Sequence, residues 1–389
     1  MKKRPGLNTV CTHTGEVEDK RFGGAVSPLY MSTAYVFEDI DEKRYPRYFN
    51  TPNQQALCRK IAALEHAEDA LIFGSGMAAI SSALFAFLRK GDHVVFQNTL
   101  YGGTINLVRE EFEKFGIEYS FTEGFAPEDF EREIRPETKV IYIETPSNPL
   151  LTITDIRAIS AMAKKHNLVS MIDNTFASPV NQNPIDLGID IVLHSATKYL
   201  GGHSDILAGA VASNSEYIDR IFQLAKNFGG SLSDYTVWLL ERSIKTLGVR
   251  VKAQNKNAKK MAKFLAKHSD VEKVYYPGLK SHPDHELAKS QMRGFGGMLS
   301  FELKDGLDVS EFQKSLKLIK PVMSLAGVES TILSPTLTSH ALLTPEEREK
   351  QGIKDGLIRF SLGIEDVKDL MEDIDQAIEN VKSKVEVVS

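Results

Sequence analysis

The chain alternates between short apolar runs and segments in which apolar residues recur every three or four positions. Apolar runs of four to six residues predict strands, and the longer recurring pattern predicts helices. The predicted strands are residues 70–73, 93–97, 139–143, 168–172 and 189–193. The predicted helices are residues 54–67, 77–88, 105–115 and 153–166. This alternation favours an α/β fold with a mainly parallel central sheet that helices cover on both faces.

The pattern changes on either side of this alternation. The first fifty residues have no periodic apolar pattern, which indicates an extended arm. A long helical stretch at 236–268 precedes predicted strands at 297–303 and 357–362 and a final helix with an apolar stripe over 364–381. We therefore expect three parts, listed here in chain order: an N-terminal arm at 1–52, a large domain at 53–247 and a smaller C-terminal α+β domain at 248–389.

One segment has the length of a membrane span. Residues 70–88 contain no charged side chain, and about 20 apolar residues are enough to cross a bilayer. Gly74, Ser75 and Gly76 interrupt this segment. We therefore interpret it as a strand, a tight turn and a buried helix, and we expect no membrane association.

Composition narrows the class of protein further. The 389 residues include 47 basic and 52 acidic side chains, a net charge of −5 that argues against a general nucleic-acid surface. Only Cys11 and Cys58 are present, which excludes a disulfide framework and favours a reducing compartment. No apolar signal core follows the basic start, so we expect a cytoplasmic protein. His203 and His340 lack metal-ligand spacing, and we expect no metal site.

The strongest chemical motif surrounds Lys198, which follows the predicted strand at 189–193. Ser195 and Thr197 lie within three residues of this lysine. Hydroxyls and an amine beyond a strand end are able to hold a phosphate and to react with a carbonyl group, because ligands bind at such ends in α/β sheets. Taken alone, the motif is equally compatible with an exposed lysine at the start of a helix.

Two further motifs occupy comparable positions. Asp173 directly follows the strand at 168–172, where an acid is either a ligand contact or a helix cap. Gly76 and Met77 follow a strand and open a helix, where backbone N–H groups favour an anion, although an ordinary tight turn has the same pattern. Together with Lys198, these motifs match the parts of a pyridoxal phosphate (PLP) site: a lysine for the aldehyde, an acid for the ring nitrogen and a phosphate cradle.

Such a site also needs a stacking aromatic ring and a group that binds the substrate carboxylate. Tyr101, in a Tyr-Gly-Gly-Thr motif after the strand at 93–97, supplies the aromatic ring. Arg359, in the predicted strand at 357–362, supplies a guanidinium for bidentate binding.

With these motifs, the chain resembles the PLP enzymes of cysteine and methionine metabolism, which include cystathionine γ-synthase, cystathionine γ- and β-lyases, methionine γ-lyase and the acylhomoserine sulfhydrylases. The resemblance extends over nearly the whole chain, from residue 12 to residue 359. Its most specific motif is Ser-Ala-Thr-Lys-Tyr-Leu-Gly-Gly-His-Ser-Asp at 195–205. Supporting motifs lie at 76–77, 101–104, 144–149, 173–175 and 324–330.

The resemblance implies a fold type I PLP transferase with Lys198 and Tyr101 as catalytic residues. It implies ten cofactor-binding residues, listed in chain order: Tyr45, Arg47, Gly76, Met77, Tyr101, Asn148, Asp173, Ser195, Thr197 and Lys198. Glu144 is expected near Asn148, and Ser324 and Arg359 are expected to bind the substrate carboxylate. Tyr45 and Arg47 match a Tyr-x-Arg motif that reaches the phosphate of a neighbouring subunit, which implies active sites at a dimer interface and a homotetramer built from two dimers.

Four departures and matches bear on the substrate. Residues 50–53 read Asn-Thr-Pro-Asn where the family usually has Asn-Pro-Thr after the Tyr-x-Arg motif. Gly103 stands where methionine γ-lyases often have cysteine, and Asn106 where cystathionine-binding members often have arginine. Glu329, in contrast, matches a position that those members use to sense a distal amino group. Asn106 and Glu329 are therefore candidate substrate-binding residues.

The expected reaction is γ-elimination or γ-replacement on a sulfur amino acid, of the cystathionine γ-lyase or γ-synthase type. Methionine γ-lyase and O-acylhomoserine sulfhydrylase activities are alternatives within the family. A PLP-dependent aminotransferase and a non-catalytic PLP-binding protein are alternatives of a different class.

Overall fold

A computed structural model describes residues 4–338, 348 and 352–388 of the chain. The chain forms two compact units. The first consists of the described residues of 1–144, 154–201 and 205–248. The second consists of those of 145–153, 202–204 and 249–389.

A seven-stranded sheet forms the centre of the first unit. Its strands are Asp69–Phe73 (β1), His93–Phe96 (β2), Glu118–Phe121 (β3), Thr138–Glu144 (β4), Val169–Asp173 (β5), Ile191–Ser195 (β6) and Gly209–Ser213 (β7). The strands are arranged in the order β1-β7-β6-β5-β4-β2-β3. Neighbours are parallel from β6 to β3, whereas β7 is antiparallel to both β1 and β6.

Helices accompany this sheet and bury both of its faces. They are Leu7–His13 (α1), Pro52–Glu65 (α2), Gly76–Phe87 (α3), Gly102–Glu111 (α4), Pro127–Glu133 (α5), Ile156–Lys165 (α6), Ser178–Asn181 (α7), Ser215–Phe228 (α8) and Asp234–Ile244 (α9). Successive strand residues point to opposite faces. Accordingly, Val94 and Phe96 belong to one core cluster, and Val95 belongs to another.

The second unit has a smaller, five-stranded sheet. Its strands are Val271–Tyr275 (β8), Met298–Leu303 (β9), Lys320–Pro321 (β10), Thr331–Leu333 (β11) and Leu357–Ser361 (β12), in the order β10-β11-β12-β9-β8. Its helices are Leu247–Leu265 (α10), which begins at the end of the first unit, His285–Gln291 (α11), Val309–Ser315 (α12) and Val367–Val388 (α13). Phe301, Phe360 and Ile374 are buried in its core.

The predicted α/β class, with a mainly parallel sheet and a smaller α+β part, is confirmed. Five strands have no counterpart in the sequence prediction: β3, β7, β8, β10 and β11. β3 and β8 are partly exposed, β7 reads Gly-Ala-Val-Ala-Ser, and β10 and β11 have only two and three residues, so none of them is a strong apolar run. The helical stretch at 236–268 is two helices, α9 and α10. The division at residues 52 and 247 stays a prediction.

Both cysteine side chains lie inside the first unit. Cys11 and Cys58 are buried thiols, and burial raises the pKa of Cys58 to about 12. Within the part of the chain that the structure describes, no helix is both long enough and apolar enough to cross a membrane.

We expect Phe96→Ala to destabilise the first unit by about 3–5 kcal/mol, because the deletion leaves a cavity in a close-packed core. Phe96 is fully buried and contacts the rings of Phe112, Phe121 and Tyr142. Urea unfolding followed by circular dichroism measures the change. Phe115→Ala is the control, since this ring is 51% exposed. Equal losses for the two variants would contradict the assignment of Phe96 to the core.

Candidate active site

The carboxyl ends of β1, β5 and β6 lie at one edge of the seven-stranded sheet. β5 and β6 are parallel, and β1 runs in the same direction as β6 because both are antiparallel to β7. The turn at 74–77, Asp173 and Lys198 are located at or just beyond these strand ends. The fold therefore brings three separate sequence motifs to the edge at which open α/β sheets bind ligands.

Lys198 lies in a turn three residues beyond the end of β6, and its side chain is half-buried. Its backbone N–H donates to the carbonyl of Ser195 at 3.1 Å, and Gly201 N–H donates to the carbonyl of Ala196 at 2.8 Å. The following Tyr199 is almost fully buried. These contacts anchor the turn on both sides of the lysine and limit the region that its amine can reach.

The start of α3 forms a backbone cradle. The Ser75 hydroxyl caps the helix by accepting from Ala78 N–H at 3.0 Å. The N–H groups of Gly76 and Met77, in the first helical turn, have no intrahelical acceptor, and the positive end of the helix dipole lies there. A Cβ on Gly76 would lie 3.0 Å from the Cβ of Ser195. The absence of a side chain therefore lets the helix start approach the end of β6.

A second glycine, in β7, packs closely against the same turn. A Cβ on Gly209, the first residue of β7, would lie 2.1 Å from the carbonyl oxygen of Ser75. Real Cβ atoms do not approach a backbone oxygen so closely, so only glycine allows this packing. Gly209 is not among the residues predicted from the sequence, although its run of small residues is typical of close backbone approach.

The two hydroxyls beside Lys198 are held differently. Ser195 N–H donates to the Thr175 hydroxyl at 2.8 Å, which joins the end of β6 to the segment after β5. The Thr197 hydroxyl donates to the carbonyl of Ala208 at 3.2 Å and accepts from its N–H at 3.0 Å. Thr197 would have to turn its hydroxyl away from Ala208 to donate a hydrogen bond to a phosphate.

Asp173 is a buried acid at the end of β5, with 6% of its surface exposed. One of its carboxylate oxygens accepts from Thr175 N–H at 2.9 Å. Burial raises the pKa of Asp173 above its ordinary value, while the Thr175 hydrogen bonds and the nearby His194 act in the opposite direction. A carboxylate in such surroundings gains stability from a cationic partner.

Tyr101 precedes α4, and its side chain is 50% exposed. Its backbone N–H donates to the carboxylate of Glu144 at 2.7 Å, so Glu144 positions the residue from the end of β4. A Cβ on Gly103 would lie 2.5 Å from the Tyr101 ring and 3.1 Å from the sulfur of Met77. The structure thereby brings Tyr101 close to the helix start that forms the backbone cradle.

In the second unit, Arg359 and Asn148 form a buried pair. Arg359 Nη1 donates to Asn148 Oδ1 at 3.0 Å, and the two residues are 6% and 3% exposed. Asn148 is a predicted cofactor-binding residue, and in the structure its side chain contacts the guanidinium of Arg359. The pair orients Arg359 on β12.

The remaining predicted substrate residues are more accessible. Ser324 is half-buried, and its carbonyl accepts from the Thr331 hydroxyl at 3.3 Å. Glu329 is exposed in the second unit, and Asn106 is exposed on α4 in the first.

Tyr45 and Arg47 lie on the arm of the first unit. Arg47 Nη1 donates to the carbonyl of Lys226 near the end of α8, at 2.6 Å. Its guanidinium also lies over the rings of Tyr45 and Tyr48, at 5.5 and 5.2 Å. Within this chain, Arg47 therefore bonds at a helix C-terminus, where the dipole favours a cation.

The structure shows no group of three histidine, cysteine, aspartate or glutamate residues that would hold a metal ion, among residues 4–338, 348 and 352–388. His203 is half-buried. His340 lies outside the described residues.

Comparison with known proteins finds similarity over nearly the whole chain. The family model of the Cys/Met metabolism PLP-dependent enzymes matches residues 8–379. A cystathionine β-lyase of Lactococcus lactis is 45% identical over 96% of this chain and 99% of its own. A cystathionine γ-lyase of Bacillus subtilis is 44% identical over 98% of this chain and 100% of its own. The crystal structure of a Lactobacillus plantarum cystathionine γ-lyase with L-serine has a TM-score of 0.93 and 40% identity, covering 97% of this chain and 100% of that chain.

We expect Gly209→Ala to weaken PLP binding by about tenfold or more, because the added methyl group displaces Ser75 and overpacking costs about 1–3 kcal/mol. Gly74→Ala, in the same turn, is the matched control, since its Cβ would meet its nearest neighbour at 3.7 Å, an ordinary contact. Equilibrium dialysis of each apoprotein with PLP measures the affinity. If both variants bind like the wild type, the close approach of β7 does not shape the cradle.

Proposed function

The chain belongs to the Cys/Met metabolism PLP-dependent enzymes. We therefore propose that it acts on a sulfur amino acid by γ-elimination or γ-replacement: it either removes the substituent on Cγ or replaces that substituent with another. One observation supports this proposal most strongly: buried Asp173, the backbone cradle at Gly76 and Met77, and Lys198 all lie at one edge of the sheet.

The residues at this edge fit PLP. Backbone N–H groups at the start of α3 suit a phosphate, and the close approach of Gly76 to Ser195 shapes that region. The described hydrogen bonds to Asp173 come from the neutral N–H and hydroxyl groups of Thr175, so a protonated ring nitrogen would supply a charged donor. We assign the phosphate to Gly76, Met77 and Ser195, with Thr197 contributing after rotation of its hydroxyl.

Lys198 and Tyr101 carry the proton transfers in this proposal. Bound PLP supplies an electron sink for the carbanion that forms when a substrate loses its Cα proton. With the cofactor bound, the Lys198 amine would hold its aldehyde in the resting enzyme, and during the reaction the same amine would hold and move the proton between Cα and the following carbons of the substrate. Tyr101 would pack against the cofactor ring, and its hydroxyl would assist the departure of the γ-substituent.

Arg359 supplies the carboxylate-binding group of the second unit. A guanidinium binds a carboxylate with two parallel hydrogen bonds, which fixes orientation as well as position. Asn148 holds one edge of this guanidinium, and we propose that Ser324 donates a further hydrogen bond to the same substrate group. In this proposal Asn148 also lies near the ring hydroxyl of the cofactor.

Three residues bear on which reaction the enzyme performs. The Gly103 position leaves no room for a side chain beside Tyr101, which disfavours the cysteine typical of methionine γ-lyases. Asn106 disfavours cystathionine as the substrate, because cystathionine-binding members often have arginine at this position. The exposed Glu329 favours cystathionine, because those members use this position to sense a distal amino group. We propose the cystathionine γ-lyase or γ-synthase type, with methionine γ-lyase and O-acylhomoserine sulfhydrylase as alternatives. The 45% identity to a cystathionine β-lyase makes β-elimination a further candidate.

Two other classes would give different outcomes. An aminotransferase would consume a 2-oxo acid stoichiometrically without releasing ammonia. A non-catalytic protein would bind PLP without turnover, but it would have no need of Lys198, Asp173, Tyr101 and Arg359 together.

We propose a homotetramer of two dimers in the cytoplasm, with Arg47 reaching the phosphate in the neighbouring subunit. The arm supports an interface, because it exposes many large apolar side chains. They are Phe22, Val26, Leu29, Tyr30, Met31, Val36, Phe37, Ile40, Tyr45 and Tyr48.

A substrate panel tests the proposed reaction. Cystathionine, methionine, homocysteine, cysteine and acylhomoserines are each supplied with and without a thiol, and 2-oxo acid, ammonia and thioether are measured. We expect Lys198→Ala to lose both turnover and the visible absorption of the bound cofactor, because the variant lacks the amine. Lys114→Ala, on the exposed surface, is the control. Near wild-type turnover by Lys198→Ala would refute the mechanism.

Mixing two inactive variants tests the role of Arg47. If Arg47 acts on the neighbouring subunit, a mixture of Arg47→Ala and Lys198→Ala chains forms hybrid dimers with one intact site, and activity reappears. The control is each variant mixed with itself. A mixture that exchanges subunits, as shown by mass spectrometry, and stays inactive would place Arg47 in the site of its own chain.

A further inference from the structure

A buried polar cluster lies behind Asp173 in the first unit. It consists of Glu65, the last residue of α2, His194 in β6, Asn174 directly after β5, and Asn183. All four are between 0% and 3% exposed. Buried charges are expensive unless they are paired, and apolar residues often replace them without loss of stability. The cluster therefore needs an explanation beyond packing.

Glu65 is the centre of this cluster. Its Oε1 atom accepts from both His194 Nε2, at 2.5 Å, and Asn174 Nδ2, at 2.9 Å. Its Oε2 atom accepts from Asn183 Nδ2 at 3.3 Å. One carboxylate thus fixes the imidazole of His194 and the side chain that follows Asp173 in the chain.

The sheet connects the cluster to Asp173 in two ways. Asp173 is the register partner of Leu193, the residue before His194, and the N–H of Asn174 donates to the carbonyl of Leu193 at 2.9 Å. His194 is also close enough to lower the pKa of Asp173 against the effect of burial. Asp173 therefore has two neighbouring residues, one next in the chain and one on the adjacent strand, whose side chains both donate hydrogen bonds to Glu65.

We propose that Glu65 is a positioning residue for cofactor binding, which acts through His194 and Asn174 to keep Asp173 ionised and directed at the ring nitrogen. Polar groups follow one another along this line: the carboxylate of Glu65, the imidazole of His194, the carboxylate of Asp173 and the ring nitrogen of the cofactor. A protonated ring nitrogen would pair with the buried carboxylate of Asp173. This inference rests on the proposed pairing of Asp173 with the cofactor ring.

The test compares Glu65→Gln with Glu65→Asp. Glu131→Gln is the matched control, because Glu131 accepts from His166 Nε2 at 3.0 Å in a more exposed pair on the same unit. Each apoprotein is titrated with PLP by equilibrium dialysis, the visible absorption of the bound cofactor is followed against pH, and apoprotein unfolding in urea is measured separately. His194→Gln is included in case Glu65→Gln does not fold.

For Glu65→Gln we expect the dissociation constant of PLP to rise about tenfold or more, as for the loss of one charge-assisted hydrogen bond. The midpoint of the spectral pH titration should shift, because a weaker hold on the ring proton changes the charge next to the group that titrates. Glu65→Asp should recover part of both effects, and Glu131→Gln should show neither. Reduced apoprotein stability with an unchanged PLP affinity and an unchanged midpoint would overturn the proposal and leave Glu65 a purely structural role.

The Asp173→Asn variant distinguishes a failure of the proposed role of Asp173 from a failure of the proposed role of Glu65. If Asp173→Asn leaves PLP affinity and the spectral midpoint unchanged, the assignment of Asp173 in the proposed function fails. If Asp173→Asn changes both the PLP affinity and the spectral midpoint, while Glu65→Gln and His194→Gln change neither quantity, only the proposed role of Glu65 fails.

Discussion

The site depends on backbone surfaces that pack closer than any side chain permits. Gly76 lies against Ser195, and Gly209 lies against the carbonyl of Ser75. These two contacts place the start of α3 at the ends of β6 and β7, so that its unpaired N–H groups share an edge with Asp173 and Lys198. Strand direction brings the motifs to one edge, and the glycines let the start of α3 pack against the end of β6 and the start of β7.

Behind this edge, buried polar groups maintain the geometry at an energetic cost. Glu65, His194 and Asn174 form hydrogen bonds in a volume that an apolar core would fill at lower cost. In the second unit, Arg359 is similarly buried and held by Asn148. In both units a side-chain acceptor fixes the orientation of a buried donor.

Local sequence patterns predicted β1, β2, β4, β5 and β6, since each is a short apolar run between helical segments. They missed β7, because its residues are small and its pairing partners lie far away in the chain. The same limit applies to the site. Asp173 and Lys198 lie at or shortly after the ends of apolar strands and could be proposed from the sequence, whereas Glu65 reaches His194 across 129 residues of sequence. A contact of that separation leaves no periodic signal, and only the fold reveals it.

The burial of both cysteines has a consequence for redox chemistry. A thiol with a pKa of about 12, such as Cys58, has a negligible thiolate fraction at neutral pH, and the thiolate is the species that attacks disulfides. Cys11 is equally inaccessible. An enzyme of sulfur amino acids thus keeps its own sulfhydryl groups out of exchange with the thiols around it. Mixed disulfides and oxidised by-products have no accessible cysteine on this chain to modify.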